Sequence, residues 1–175
     1  SPVTRERAEF APPPWRLGGA TYGFDAGGGI VAAMTRCGTW SLVRVDGAGT
    51  VTPLETEFTA IDHLHVGGGA AVFVGGSFTA PAGLYRMDLA SGATELIRAT
   101  RPPLDEAVAA CIAAPKAITF PSADGAEAHA FHYAPSNPGF EGPQDEKPPL
   151  VVMIHGGPTA PAKAALDLTV PFFTS

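Results

Sequence analysis

The clearest chemical signal in the 175-residue sequence is the tetrapeptide His155-Gly156-Gly157-Pro158. It follows an unbroken apolar pentad, Leu150-Val151-Val152-Met153-Ile154, which reads as a strand buried on both faces of a sheet. The carboxyl end of such a strand is where open α/β sheets place their ligand crevices. Paired glycines let the backbone turn sharply and approach a ligand without interference from Cβ. Their amide groups therefore suit a preorganised site for an oxyanion, the charge that develops on a carbonyl oxygen during acyl transfer. A strand-ending turn beside a packed histidine is the alternative reading.

Other chemistry-bearing residues are sparser. Asp62, His63 and His65 cluster in one β-like run, with the two histidines expected on one strand face, but no further ligand stands at a matching spacing and no metal site is expected. His129 and His132 fall on opposite faces of an expected strand and read as surface residues of a hairpin. No Gly-x-Ser-x-Gly occurs; Gly75-Gly76-Ser77-Phe78 lacks the second glycine and falls in a strand, so Ser77 is rejected as a nucleophile. Cys37 and Cys111 lack paired spacing and read as reduced, packed thiols, which favours a cytoplasmic location. No cofactor motif is present.

The elements that must position these residues divide into two regions. Strands are expected at 21–25, 29–36, 40–45 and 50–54, and again at 61–66, 70–77, 83–89 and 94–99. Gly27-Gly28-Gly29 recurs forty residues later as Gly67-Gly68-Gly69, each time joining a first strand to a strongly apolar second one. The third strand of each set ends near an Asp, in Val45-Asp46 and Met87-Asp88. Four-stranded units repeating at about 40 residues are the signature of β-propeller blades; an open antiparallel meander is the alternative. Two blades do not close a ring, so further polypeptide is expected beside them.

Past Arg101-Pro102-Pro103 the pattern changes. Residues 105–114 read as a short helix or linker, 116–120 and 127–133 as a hairpin about an Asp124-Gly125 turn, and 135–149 as a polar, Pro-rich loop. Residues 160–175 carry a helical spacing of Leu166, Val170 and Phe173, interrupted by Pro171. The division is residues 1–112, the last blades of a propeller, and 113–175, the first part of an α/β domain. With 17 acidic and 11 basic residues, a net charge of -6 and no basic cluster, nothing suits a nucleic-acid backbone. Apolar runs are far short of a membrane span, and the first residues show no secretory signal; a water-soluble protein is expected.

With these elements in place, Ile118-Thr119-Phe120-Pro121-Ser122, the Asp124-Gly125 turn, residues 129–135 and the stretch from Pro148 to Pro158 together resemble the propeller-to-hydrolase junction of prolyl oligopeptidase-type serine peptidases. The likeness is greatest to the acylaminoacyl-peptidase and dipeptidyl-aminopeptidase branch, and residues 15–99 are similar to that family's last propeller blades. The resemblance implies a mixed fold, all-β blades followed by the first strands of an α/β-hydrolase domain. It implies acyl transfer on short peptides through a serine, a histidine and an aspartate, none of them within these residues. His155, Gly156, Gly157 and Pro158 would form the oxyanion-side loop, as a His-Gly-Gly loop after the third strand does in α/β-hydrolases. In some branches a tyrosine stands where His155 stands, which leaves a role for its ring open. The implied partners are short peptides and the remainder of the same polypeptide, or a second fragment, and a homo-oligomer is compatible. The chain alone is expected to be an inactive fragment. A non-catalytic propeller-type interaction module and a small-ester hydrolase are the rival functions, the second disfavoured by the blades.

Overall fold

The computed structural model describes residues 3–13, 15, 18–157 and 161–175. Strands β1 (Tyr22–Phe24), β2 (Ile30–Arg36), β3 (Thr39–Val45) and β4 (Val51–Leu54) form one antiparallel sheet in the order 1-2-3-4. Strands β5 (Ala60–Gly67), β6 (Ala70–Gly76), β7 (Gly83–Asp88) and β8 (Thr94–Ala99) form a second sheet in the order 5-6-7-8. These eight strands coincide with the expected ones to within one or two residues. After them come α1 (Glu106–Ala110), the two-stranded β9 (Lys116–Pro121) and β10 (Glu127–His132), and α2 (Thr169–Thr174).

Local sequence chemistry explains each hairpin. Cys37 and Gly38 join β2 to β3 with φ of 51° and 80°, the positive values that suit a two-residue hairpin to the twist of its strands. Asp25 closes the β1–β2 loop, its Oδ1 accepting from the N–H groups of Gly27 and Gly29 at 2.9 and 2.8 Å. Asp46 does the same after β3 for Ala48 and Thr50, both at 2.9 Å. Asp88 does so after β7, accepting from the N–H and the hydroxyl of Ser91, each at 2.8 Å. An aspartate that bonds backbone two to four residues on is a turn former in its own right. These bonds hold the carboxyls of Asp46 and Asp88 below the usual range, led by the Thr50 N–H at Asp46 and by the Ser91 N–H at Asp88.

The glycine triplets, by contrast, are not structural equivalents. Gly68 and Gly69 make a two-residue turn with φ of 57° and 76°, while Gly27–Gly29 belong to the longer loop closed by Asp25. Pairing gives the true correspondence: Val31 lies opposite Arg44 in β2–β3, as Val72 lies opposite Arg86 in β6–β7, each one pair from the Asp-capped turn. The repeat therefore runs one residue longer in the second strand, and two in the third, than the glycines suggest.

The main core lies between the sheets. Val31, Ala33 and Leu42 of the first pack against Ile61, Leu64, Ala71, Phe73 and Met87 of the second, with Phe58 and Tyr85 adding rings at 4.5 Å from each other. The other face of the first sheet buries Ala32, Val43 and Val45 beneath Phe10, and Glu9 bridges to Thr35. Both faces of the first sheet are thus covered over β2 and β3, where Val31, Ala32, Ala33, Leu42, Val43 and Val45 are buried.

Beyond the sheets, Asp105 caps α1 by accepting from the Ala107 N–H at 2.9 Å, as expected of an acidic N-cap. The Asp124-Gly125 turn has φ of 57° and 76°, as read from the sequence. Two expectations fail. Residues 150–154 form no strand, and their side chains are 52 to 86% exposed. A strand buried on both faces must lie within a sheet covered on each side, and among the described residues β9 and β10 pair only with each other and offer 150–154 no such sheet. The helix expected over 160–175 is confined to α2; Pro171 sits in its first turn, where its missing N–H breaks no helical bond.

Candidate functional site

His155, Gly156 and Gly157 follow the open segment 150–154, and Pro158 lies outside the described residues. All three are exposed. Gly157 has φ +76°, and a Cβ at either glycine would meet nothing within 4 Å. The geometry is therefore a glycine-dependent bend with open space beside both glycines, with φ at Gly157 in the region that β-branched residues resist. No second catalytic group among the described residues stands against it. The expectation of an α/β sheet beneath the loop is not met within this chain, because the strand that would carry the loop is unpaired.

The remaining candidates separate. A bulge between Asp62 and His65 shifts the β5–β6 register, and His63 takes φ 52°. Strand alternation thus breaks down where the two histidines were expected to share a face. The Asp62 carboxylate accepts from the His63 N–H at 2.9 Å. No group of three potential metal ligands occurs among the described residues. His129 Nδ1 lies 3.0 Å from the Thr119 hydroxyl across the β9–β10 hairpin, and His132 is paired with Lys116. The Ser77 hydroxyl accepts from the N–H groups of Thr79 and Ala80 at 3.3 and 3.0 Å, so it caps the loop after β6 rather than crowning a strand-to-helix turn. Cys37 is exposed at its turn, contrary to the packed position expected of it, while Cys111 is half-buried; both are free. No helix among the described residues is long and apolar enough to cross a membrane.

What the fold does position is the C-terminal segment against one end of both sheets. The Thr59 hydroxyl donates to the Ala164 carbonyl at 2.6 Å, and Ala164 is buried. Phe78, in the β6–β7 loop, packs edge-on to Phe131 with centroids 4.8 Å apart, and Phe131 also meets Gly38 in the β2–β3 turn. Tyr133 completes this seam; its burial, and then the Asp167 carboxylate, raise its phenol above the ordinary value.

One polar contact that the sequence reading overlooked crosses between the sheets. Arg44 Nη2 donates to the Leu89 carbonyl at 3.1 Å, and its buried Nε lies 3.1 Å from Asp25 Oδ2, an ion pair whose N–H is not aimed for a hydrogen bond. The signal lies two residues before the turn-forming Asp, in Arg44-Val45-Asp46 and Arg86-Met87-Asp88.

A pair of four-stranded antiparallel sheets stacked face to face, each strand hydrogen-bonded to the next in sequence, defines consecutive blades of the propeller class. No protein-family model matches the sequence, and no curated protein does. Solved structures do. A puromycin-hydrolysing peptidase of Mycobacterium tuberculosis is 31% identical over 97% of this chain with a TM-score of 0.89. A puromycin hydrolase is 35% identical over 99% of the chain with a TM-score of 0.86, and a serine-to-alanine variant of a puromycin hydrolase complexed with PGG matches at the same identity and score over 98%. The chain spans 26% of the length of each, and its two sheets match propeller blades of these peptidases.

Proposed function

We propose that this chain serves as part of a serine peptidase of the prolyl oligopeptidase type, hydrolysing short peptides by acyl transfer. Residues 1–112 contribute the last propeller blades and residues 113–175 open the hydrolase domain. The observation that carries this reading is the match of nearly the whole chain to puromycin-hydrolysing peptidases, at 31 to 35% identity and TM-scores of 0.86 to 0.89. The 26% share of those chains is the reason to seek the Ser, His and Asp of the triad in further polypeptide.

In this reading the bend at His155, Gly156, Gly157 and Pro158 is the oxyanion-side loop. The exposure of residues 155–157 and the positive φ at Gly157 fit a loop that completes a site only when residues 150–154 join a sheet. The exposed apolar side chains of that segment favour the same reading, since a row of Leu, Val, Val, Met and Ile in water is unfavourable unless covered. The finer assignment is an aminopeptidase of the acylaminoacyl- or dipeptidyl-aminopeptidase branch, located in the cytoplasm.

The test uses the product of the natural gene. A fluorophosphonate probe should label one serine outside residues 1–175, and the enzyme should hydrolyse puromycin and short aminoacyl amides. Absence of both labelling and hydrolysis in a folded preparation would refute the peptidase reading and leave a propeller-type interaction module.

A further inference from the structure

The outer edge of the second sheet is complementary to itself when reversed. We infer that β8 is a self-association edge: two copies of the protein pair antiparallel through Thr94–Ala99 about a two-fold axis, with Glu95 of each copy opposite Arg98 of the other. The inference rests on the edge of this sheet and not on the peptidase reading.

That edge is open and apolar. β8 is the last strand of its sheet and, among the described residues, pairs with β7 alone. All of its residues are exposed, Leu96 by 53% and Ile97 by 51%. An edge strand with free backbone groups and exposed apolar side chains is a template for pairing with another chain. The corresponding edge of the first sheet is blunted, because Pro53 in β4 has no N–H to give. β8 contains no proline.

Register decides which residues can meet there. Two strands related by a two-fold axis pair antiparallel, and residues directly opposite each other point to the same face of the joint sheet. In a regular strand Glu95 and Arg98, three residues apart, would lie on opposite faces and could not meet in this way. The bulge in β8 removes the obstacle. Glu95 is paired with Arg86 of β7 and Arg98 with Leu84, while Leu96 is paired with Tyr85 and Ile97 has no partner. Leu84 and Arg86 stand two residues apart on one face, so Glu95 and Arg98 share that face. Leu96 stands on the other, where its Cδ1 and the Tyr85 ring both crowd the position of a Cβ on Gly83.

Charge selects the second copy as the occupant. The pairing sets Glu95 against Arg98 twice, symmetrically about the axis, and brings Leu96 and Ile97 of both chains together at the centre. On the opposite face Thr94 meets Ala99, since these two are paired with Met87 and Gly83 on the Tyr85 side of β7. No like charges within β8 are opposed, and Arg86, 3.6 Å from Glu95, sets a further positive charge beside that carboxylate. Unlike charges directly opposite across strands stabilise a pairing and like charges weaken it. The six residues that each copy contributes bury less than the roughly 1,200 Å² of a standard stable interface, so the dimer forms and separates with concentration.

The experiment is sedimentation velocity on the product of the natural gene, from roughly 0.1 to 100 µM, where a weak pair passes from separate to associated. Wild type should shift from monomer to dimer across this range. Arg98→Glu opposes two glutamates at both symmetric positions and should weaken the association about tenfold; Glu95→Arg, which opposes two arginines, should do the same. The double exchange of Glu95→Arg with Arg98→Glu restores unlike charges and should recover the wild-type dimer. Melts at the lowest concentration should leave all four proteins within a few degrees of one another, since exposed substitutions of this kind change stability little. A gene product that stays monomeric throughout overturns the inference. So does a dimer that neither single variant weakens, or a loss that the double exchange fails to reverse. Fluorophosphonate labelling is read separately, so failure of the peptidase reading leaves these outcomes untouched.

Discussion

Replacing Gly23 by alanine measures how tightly the two blades meet. Gly23 is the middle residue of β1, and a Cβ there would lie 2.6 Å from the Val66 Cβ, 3.0 Å from its Cγ2 and 3.3 Å from its backbone N. Carbon atoms rest about 3.5–4.0 Å apart, so β1 must retreat from β5 by roughly 1 Å. No rotamer change relieves the contact, because the nearest atom is fixed to the backbone of Val66. Overpacking of this kind costs about 1–3 kcal/mol. With about 2–4 °C lost per kcal/mol in a chain of this size, the variant should melt roughly 2–12 °C below wild type. Gly67→Ala is the control, since a Cβ at Gly67 meets nothing within 4 Å and the change should stay within about 0.5 kcal/mol. Thermal melts followed by circular dichroism, with urea titrations as a second reading, suffice. The double variant with Val66→Gly removes the opposing Cβ, so the penalty of the alanine should shrink against that background. A Gly23→Ala protein that melts with wild type, or that shows no coupling to position 66, would refute the close approach of β1 to β5.

Asp88→Asn keeps the acceptor and removes the charge. Because the folded carboxyl is held below its ordinary value, its stabilisation is complete above about pH 4 and fades as pH falls further. Urea midpoints of wild type and variant should therefore converge below that pH, and a gap unchanged in strong acid would contradict the assignment. Tyr133 has the opposite sign. Its phenol is raised, so the unfolded chain loses its proton first and stability drops as pH climbs beyond about 10; Tyr133→Phe should flatten that alkaline slope in the same titration. In the gene product, Gly157→Val would force a β-branched residue into φ +76° and should lower kcat about tenfold or more with a smaller change in KM. Unaltered steady-state kinetics would remove the oxyanion role.

How much of this could be read beforehand varies with the range of the interactions. The eight blade strands were legible because alternating apolar residues and turn formers act locally: Asp46, Asp88 and the Asp124-Gly125 pair each set their own turn. The repeat was visible too, but the glycine triplets misplaced its phase, since residues 25–29 form a five-residue loop in the first sheet and only two residues close the turn in the second. Residues 150–154 show the opposite case. Their composition announces a buried strand, yet burial depends on partners far away in sequence or in other polypeptide, and without them the segment stays open. Arg44 escaped notice for a related reason. Its meaning lies in a carbonyl 45 residues away, which no local pattern encodes.

The seam that joins the C-terminal segment to the blades touches one end of the sheets only. Gly38 in the β2–β3 turn, Phe78 in the β6–β7 loop and Thr59 between the sheets all meet it, whereas the turns closed by Asp25, Asp46 and Asp88 lie at the far end. The two rims of the stack thus carry unequal tolerance for change. A tag or fluorophore spliced between Ala90 and Gly92 would sit at the opposite rim and leave the seam intact, while the same insertion beside Phe78 would prise the blades away from the C-terminal segment.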